Sequence, residues 1–263
     1  MKGAMIMKKI LAGAALAAVL LTTVSMSAEA GKIEDIQKAG VLKIGTTMDY
    51  VPMSYKDANG ELKGFDIELG KKLAASLGVK AEFVKTTWST LSQDTMDGKF
   101  DVAMSGITRN FKRQAQLDLS KGYLRYNGRT ILCRKADAKK YTSWEKIDQK
   151  GVRIMNNPGG GNDRFATAKV KNATRILHTP NNEIPEMVAT GKADIMITEV
   201  VEALHYINAD KRLAAPCVNN VFQGPNDFGI LAKKGDLDFM RYLDFFIEAT
   251  ELDGSMKKLE KEL

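Results

Sequence analysis

Short apolar runs and amphipathic helical segments alternate along this chain. Residues 41–46 form an apolar run that predicts a strand, and Phe65, Leu69, Leu73 and Leu77 then recur every four residues, which predicts a helix with one buried face. The alternation continues toward the C-terminal end and predicts an α/β fold with mainly parallel sheets. The other predicted strands cover residues 81–85, 100–104, 123–133, 152–155, 175–178, 193–197 and 228–232.

Helical segments fill the spaces between these strands. A short helix is predicted after Trp88, with Ser89 as its N-terminal cap. The charged stretch 134–140 is interpreted as a linker, after which the alternation starts again. Such a restart implies a second sheet, and hence two lobes with a ligand cleft between them. The later predicted helices cover residues 163–171, 183–190 and 200–208, and a long helix ends at residues 253–254.

The first 30 residues have the three parts of a bacterial export signal. Three lysines form a basic start, residues 10–21 form an apolar centre, and Ala28-Glu29-Ala30 provides a cleavage site with small residues. The apolar centre is shorter than the roughly 20 residues that a membrane-spanning helix needs. We therefore expect a signal peptide over residues 1–30 and a periplasmic mature protein.

Length and charge limit the classes of function. We expect one lobe to comprise residues 31–132 together with 228–263, and the other to comprise residues 133–227. The chain has 39 lysine and arginine residues against 32 aspartate and glutamate residues. The first 30 residues contain three of those lysines and one glutamate, so the net charge without them falls from +7 to +5. No dense basic cluster is present, and nucleic acid is not an expected partner.

The chain contains two cysteines and two histidines, and their spacing does not resemble a zinc site. We expect no metal. Cys133 and Cys217 could form a disulfide in an oxidising compartment, or they could be two separate buried thiols. His178 and His205 are expected to be ordinary surface or partly buried residues.

The run Asn157-Pro158-Gly159-Gly160-Gly161-Asn162 lies between a predicted strand and a predicted helix. Consecutive glycines at such a turn let backbone N–H groups approach a ligand, and a helix start favours an anion. The loop therefore predicts a binding site for a carboxylate or a phosphate. The alternative is a plain tight turn in which Asn162 caps the helix. It is not a nucleotide-hydrolase phosphate loop, because no Gly-Lys-Ser/Thr ending follows.

Two acids, Glu199 and Glu202, lie three residues apart at the end of another predicted strand. If Glu202 is buried in the cleft, desolvation and the neighbouring carboxylate would raise its pKa, and a protonated acid could donate to a leaving hydroxyl. The alternative is that both acids stabilise a helix N-terminus through its dipole. Spacing does not choose between these two interpretations.

Other candidates follow the first strands. Ser105, Gly106 and Thr108 offer hydroxyl and backbone donors, and Arg113 could grip a carboxylate with two parallel hydrogen bonds. The alternative for Arg113 is a solvated helix arginine. Trp88 could form an apolar wall over a flat ligand or pack in the core, and Asp49 could belong to the site or only to a turn.

Several strings resemble the periplasmic amino-acid-binding proteins of bacterial ABC transporters, solute-binding family 3. These strings are Gly64-Phe65-Asp66-Ile67, residues 100–108, Arg113 and Gly191-Lys192-Ala193-Asp194. The resemblance covers almost the whole mature chain. It implies two α/β lobes that close on a ligand, with Arg113 at the position that holds the ligand's carboxylate.

Further strings are similar to those of the cyclohexadienyl dehydratases, enzymes of that superfamily that convert prephenate or arogenate to phenylpyruvate or phenylalanine. The resemblance implies Glu202 as general acid, Asn162 and the glycine loop as substrate contacts, and Trp88 and Asp49 as cleft walls. Arg129 stands in for a lysine of the enzymes, and both cysteines fall at similar positions. The similar strings are residues 46–50, Thr87-Trp88, residues 157–160 and Ile197-Thr198.

Two functions are therefore expected as alternatives. The first is a periplasmic dehydratase that binds a small carboxylate and needs no metal or organic cofactor. The second is a non-catalytic amino-acid receptor with an ABC permease as its partner, in which Glu199 or Glu202 pairs with the ligand's ammonium group and Arg113 with its carboxylate.

Overall fold

The structure of the protein is a computed structural model, and it describes residues 31–263, apart from the side chains of Arg125, Tyr126 and Pro225. The predicted signal peptide lies outside the described residues. The chain from Gly31 to Leu263 forms one compact unit. No helix within that unit is both long and apolar enough to cross a membrane.

The first sheet contains the parallel strands that the apolar runs predict. Val41–Thr46 pairs in parallel with Lys80–Lys85 on one side and with Val102–Ala103 on the other. Leu231–Ala232 and Asp118–Leu119 extend this sheet with antiparallel pairing. The strand order is Lys80–Lys85, Val41–Thr46, Val102–Ala103, Leu231–Ala232 and Asp118–Leu119.

The second sheet also has three parallel strands, Thr174–Leu177, Arg153–Asn156 and Ile195–Glu199. The long strand Leu124–Arg134 runs antiparallel to Ile195–Glu199, and two further strands, Leu213–Ala214 and Gln223–Phe228, pair antiparallel with it. The prediction of mainly parallel sheets is thus correct for three strands in each sheet and wrong for the others. Leu124–Arg134 and Leu231–Ala232 each follow the preceding strand without the crossover helix that parallel pairing would require.

A small third sheet joins the first strand to the first long helix. Its strands have only two or three residues, which is too short for a hydrophobic period to predict. It sets the positions of Asp49 and Tyr50. The strands are Asp49–Tyr50, Ser54–Lys56 and Leu62–Lys63.

Helices cover the sheets, and most of them lie where the sequence pattern predicts. Two 3₁₀ helices cover Lys135–Lys140 and Asn181–Glu183. The α-helices among the described residues are Lys32–Ala39, Phe65–Ser76, Leu91–Met96, Phe111–Gln116, Trp144–Ile147, Gly161–Lys169, Ile184–Ala189, Val200–Ala209, Leu237–Leu252 and Ser255–Glu260.

The helix Phe65–Ser76 packs closely on the first sheet. Its repeated apolar residues Phe65, Leu69 and Leu73 are buried, as their spacing predicts. A Cβ atom at Gly70 would lie 2.9 Å from Cδ1 of Ile44, so a residue without a side chain lets the helix approach the strand. Each buried leucine of this face contributes about 1.5–3 kcal/mol relative to an exposed one.

The chain passes between the two sheets twice. It enters the second sheet at Leu124 and returns after Phe228, so the predicted strand over residues 228–232 is split between the sheets. Leu124–Arg134 pairs within the second sheet along its length. This pairing favours a boundary between the lobes that lies earlier in the chain than the predicted one at residue 132. The predicted lobe boundaries themselves stay predictions.

Two local predictions are wrong. Residues 134–140 are not a loose linker, because Asp137 accepts hydrogen bonds from both Arg134 and Lys140 at 2.7 Å and holds the 3₁₀ helix. Ser89 does not cap the short helix, which begins at Leu91 after Thr90. The Thr87 hydroxyl accepts from the Thr90 N–H at 3.2 Å and forms the turn that precedes it.

Both cysteines are buried, and both carry free thiols. Cys217 donates its S–H to the carbonyl oxygen of Tyr141 at 3.3 Å. Burial is the main cause that raises the pKa of Cys133 to about 12. Of the two alternatives from the sequence, the structure thus contains the separate buried thiols.

Candidate functional site

Strand ends from both sheets meet around a narrow cleft. Ten of the residues that the sequence singles out contribute to its lining, together with Tyr50 and Asn181. The second sheet supplies Arg129 and Glu199, and segments next to the first sheet supply Trp88 and Thr108. The lining residues are Tyr50, Trp88, Gly106, Thr108, Arg113, Arg129, Asn157, Gly160, Gly161, Asn162, Asn181 and Glu199.

Glu199 links the two sides of the cleft. Its Oε2 accepts a hydrogen bond from the Tyr50 hydroxyl at 2.8 Å, and its Oε1 accepts one from the Thr108 hydroxyl at 2.9 Å. The guanidinium of Arg129 lies 3.2 Å from the same Oε1. The carboxylate is buried, and these donors already engage both of its oxygens.

Arg129 is a buried cation between Glu199 and the glycine loop. It donates from Nη1 to Oδ1 of Asn162, while its buried Nε has no hydrogen-bond partner. Asn162 lies inside the first turn of the helix, and Gly160 occupies the cap position. The interpretation of Asn162 as a helix cap is therefore wrong, because its amide oxygen faces the guanidinium.

Arg113 is a second buried cation, only 5 % exposed, so the alternative of a solvated helix arginine is wrong. It donates from Nη1 to the carbonyl oxygen of Thr108 at 2.7 Å, and its Nε lacks a partner. Burial, followed by repulsion from Arg164 and Arg129, lowers the pKa of Arg113 to about 9, which leaves the group charged at neutral pH. No described carboxylate forms an ion pair with it, so its charge is available for an anion.

The glycine loop is pressed against residues on both sides of the cleft. A Cβ atom at Gly159 would lie 2.4 Å from Cα of Ser89, and one at Gly161 would lie 2.7 Å from Nη2 of Arg129. A Cβ atom at Gly160 would lie 3.4 Å from the Trp88 ring. The N–H of Gly159 donates to Asp163 at 2.7 Å and is therefore not available to a ligand. The loop is a close-fitting wall, and side chains around it supply the positive charge.

Asp49 and Trp88 form part of the opposite wall. The indole N–H of Trp88 donates to Oδ1 of Asp49 at 3.0 Å, and the backbone N–H of Asn181 donates to Oδ2 at 3.1 Å. Trp88 also packs edge to face against Tyr50, with ring centroids 5.6 Å apart. Asp49 thus connects the small sheet with a loop of the second sheet, although its side chain does not line the cleft.

Glu202 lies directly behind the cleft wall and is fully buried. Its Oε1 accepts from the Asn181 side chain at 2.7 Å, and its Oε2 is hydrogen-bonded to the Thr198 hydroxyl. Desolvation by burial raises the pKa of Glu202 to about 8, with smaller contributions from Glu199 and Asp49. The carboxyl group is therefore mostly protonated at neutral pH and can act as a proton donor.

Ser105 and Gly106 stabilise the strand ends beneath the cleft. Ser105 is fully buried, and its hydroxyl contacts the hydroxyls of Thr47 at 2.8 Å and Ser54 at 2.7 Å. It does not reach the cleft. Gly106 does, and a Cβ atom there would lie 2.4 Å from the ring of Tyr50, so its small size positions that tyrosine.

Sequence reasoning missed Asn181 as a site residue. It follows Thr179-Pro180 after the strand Thr174–Leu177, so it occupies a strand end like the candidates that were found. Its position after a strand could therefore have identified it as a candidate site residue. Its contact with Glu202 joins residues 21 positions apart and was not readable from the sequence.

The chain matches the model of the bacterial extracellular solute-binding proteins, family 3, over residues 42–262. Among curated proteins, cyclohexadienyl dehydratase of Pseudomonas aeruginosa is 36% identical over 239 residues, covering 91% of this chain and 88% of that protein.

Two solved structures of ancestral proteins are also similar. The amino acid-binding protein AncCDT-1, a precursor of cyclohexadienyl dehydratase, has a TM-score of 0.81 and 33% identity, covering 88% of this chain and 98% of that one. An ancestral cyclohexadienyl dehydratase has a TM-score of 0.55 and 42% identity, covering 89% of this chain and 96% of that one. Similar proteins of this fold thus include both a binder and an enzyme.

Proposed function

The chain belongs to the bacterial extracellular solute-binding proteins, family 3, and from this premise we propose that it is a periplasmic dehydratase that converts prephenate to phenylpyruvate. Its similarity to cyclohexadienyl dehydratase supports this assignment. The single observation that carries it is the buried Glu202, whose pKa of about 8 keeps a proton available beside a cationic cleft.

The reaction needs one proton and no redox partner. The bond between the ring and its carboxylate breaks and releases carbon dioxide, and the electron pair moves into the ring. The ring C–O bond then breaks, and the departing hydroxide takes the proton of Glu202 to become water. Glu202 regains a proton from solvent, so one proton is consumed for each prephenate. Aromatisation of the ring provides the driving force.

The two carboxylates of prephenate need different surroundings. A cation that grips the ring carboxylate would stabilise the ground state and oppose its loss as neutral carbon dioxide. We therefore assign the side-chain carboxylate to Arg113, with Thr108 beside it. The ring of prephenate then lies against Trp88. The glycine loop with Asn162 contacts the polar end of the substrate that lies opposite the side-chain carboxylate.

Proton transfer requires contact between Glu202 and the departing hydroxyl. Asn181 stands between Glu202 and the cleft and donates to Oε1 at 2.7 Å. The substrate must therefore displace the Asn181 amide, and its hydroxyl then takes the position of that amide next to the carboxyl group. Asn181 is a positioning residue in this proposal, and Glu202 is the catalytic acid.

The contacts of the two acids argue against an amino-acid receptor. Such a receptor needs a carboxylate that can face an ammonium group. Both oxygens of Glu199 already accept from Tyr50 and Thr108, and Arg129 adds a positive charge at 3.2 Å. Glu202 is mostly uncharged at neutral pH. The cleft therefore favours a keto acid with two negative charges over a zwitterion.

Substitution of Glu202 by glutamine tests the proposal. The amide keeps the size of the side chain and removes the proton that the reaction needs. We expect Glu202→Gln to bind prephenate and to lower phenylpyruvate formation by about 10²–10⁴-fold, the usual contribution of general acid catalysis. Release of phenylpyruvate, followed by its absorbance, measures the rate, and calorimetry measures binding.

Exposed Glu145 provides the matched control. Glu145→Gln makes the same chemical change away from the cleft and should leave turnover unchanged. If Glu202→Gln turns over prephenate as fast as the parent protein, Glu202 is not the acid.

A further inference from the structure

A groove next to the cleft carries positive charge to which the proposed chemistry assigns no role. We call this groove the vestibule. It shares Thr108, Arg129 and Gly161 with the cleft lining and continues past Arg164 and Lys169. None of the described residues that line it is acidic.

The cations of the vestibule differ in whether a carboxylate neutralises their charge. Nη1 of Arg109 lies 3.1 Å from Oδ2 of Asp227, and Arg129 is paired with Glu199. Arg164 and Lys169 form no ion pair with a carboxylate among the described side chains. The vestibule thus has two uncompensated positive charges, and the cleft adds that of Arg113.

Of the two uncompensated cations of the vestibule, Arg164 is the one that contacts the glycine loop of the cleft. It lies on the helix Gly161–Lys169 and donates from Nη1 to the carbonyl oxygen of Gly159 at 3.3 Å. Partial burial and the nearby charge of Arg129 lower the pKa of Arg164, and Arg164 in turn lowers that of Arg113. The guanidinium groups of Arg113, Arg129 and Arg164 are therefore close enough to interact electrostatically.

We propose that Arg164 is a specificity residue that draws a doubly anionic ligand through the vestibule and disfavours a ligand with an ammonium group. The choice of ligands rests on the proposed function. Prephenate carries two carboxylates and no cation, whereas arogenate carries an ammonium group beside one of its carboxylates. A cluster of like charges raises the local concentration of the more highly charged anion, and salt weakens this effect.

Arg164 acts on capture of the ligand and not on bond breaking. Neighbouring groups partly desolvate its guanidinium, but the side chain as a whole remains exposed to solvent. Its effect is therefore modest, because a rim charge mainly changes the association rate and the salt dependence. Removal of this charge should therefore change KM and leave kcat almost unchanged.

A second groove, on the side of Asp49 and Trp88, provides a matched control. It contains Lys56 and Lys85, and it also contains an acid, Asp49. Lys85 is exposed. Lys85→Gln removes one positive charge, as Arg164→Gln does, but from a groove whose lining also includes an acid.

The test measures binding of prephenate and arogenate by calorimetry at low and high ionic strength. The protein carries Glu202→Gln to prevent turnover, alone or with Arg164→Gln or Lys85→Gln. We expect Arg164→Gln to weaken prephenate binding by about two- to fivefold at low salt, as for an exposed charge pair. Arogenate binding should change less, and the salt dependence for prephenate should become shallower. Lys85→Gln should leave the ratio of the two affinities unchanged.

The outcomes separate this inference from the proposed function. An equal loss of affinity for both ligands, an equal effect of Lys85→Gln, or no binding of prephenate at all would overturn the role of Arg164. A parent protein that does not release phenylpyruvate, combined with the expected Arg164 effect on binding, would overturn the proposed reaction alone. In the active parent, a fall in kcat with KM unchanged after Arg164→Gln would also contradict a role in capture.

Discussion

The carboxyl group of Glu202 stays protonated at neutral pH because the fold removes it from water. Asn181 and Thr198 engage its two oxygens, and no cation pairs with it in the described part of the chain. The spacing from Glu199 suggested an acid at this strand end. Its burial depends on a loop that arrives from elsewhere in the sequence, so the residue was predictable and its protonation state was not.

The activity should depend on the protonation of Glu202. Because only the protonated form donates, kcat should be roughly constant below the pKa of about 8 and fall above it, by about tenfold for each pH unit. A profile of kcat from pH 6 to 10, corrected for the spontaneous reaction, checks this. A kcat that rises through pH 8 would mean that the reaction needs an ionised group instead.

The same group should make stability depend on pH. Its pKa in the folded protein, about 8, lies above the ordinary glutamate value of 4.5, so the folded state binds more protons between these pH values. Stability must then fall as pH rises through this window. Glu202→Gln removes this dependence and should be more stable than the parent near pH 8, by on the order of 1–3 kcal/mol. Urea unfolding at pH 5 and pH 8 measures the difference, and an equal difference at both pH values would contradict it.

The residues in and around the cleft could be predicted from the sequence to different degrees. Arg113 was found because its spacing from a strand end matched a known family, and the structure buries it next to Thr108. Ser105 was selected by the same reasoning, but its hydroxyl points to Thr47 and Ser54. Arg164 was not selected, because one arginine on a helix has no sequence signal that separates it from a solvated one.

At the scale of elements, each glycine of the loop after Arg153–Asn156 has a different neighbour. Gly159 faces the backbone of Ser89, Gly160 faces Trp88, and Gly161 faces Arg129. The sequence indicated a loop of small residues between a strand and a helix. It could not indicate that the opposite wall approaches this loop, since that wall comes from residues about 70 positions earlier in the chain.

Gly159→Ala should impair ligand binding more than stability alone explains. Gly159 has a φ of +83°, and a Cβ atom there would meet Ser89 across the cleft. Gly151 has a φ of +91° with no atom within 4 Å of such a Cβ, so Gly151→Ala is the matched control. The left-handed backbone alone should cost each variant about 1 kcal/mol of stability, and the contact with the Ser89 backbone should add to the loss in Gly159→Ala. Only Gly159→Ala should also lower kcat/KM, by at least about tenfold, because the walls cannot close.

Thermal unfolding and steady-state kinetics on both variants make this comparison. Similar losses of kcat/KM in Gly151→Ala and Gly159→Ala would show that the contact with Ser89 has no role.

The pattern of apolar positions predicted most helices and the parallel strands, because these elements bury one regular face. It failed where tertiary contacts decide. The segment Lys135–Lys140 is ordered by ion pairs at Asp137, and the apolar run at residues 228–232 contributes residues to strands of both sheets. Neither feature has a periodicity that a local sequence window contains.

At the scale of the whole molecule, two sheets linked by extended segments bring a cationic cleft and a protonated acid together. Glu199, Tyr50 and Thr108 join the two sides, as do Asp49 and Asn181. A cleft with these contacts can hold a ligand in a receptor or an enzyme. The state of Glu202 and the engagement of Glu199 favour the enzyme.

The conversion of prephenate by the purified protein tests this account most directly. Phenylpyruvate is followed near neutral pH against the spontaneous background, with Glu202→Gln as the comparison. We predict release of phenylpyruvate well above background by the parent protein and not by the variant. Prephenate that disappears no faster with the protein than without it would contradict the proposed function.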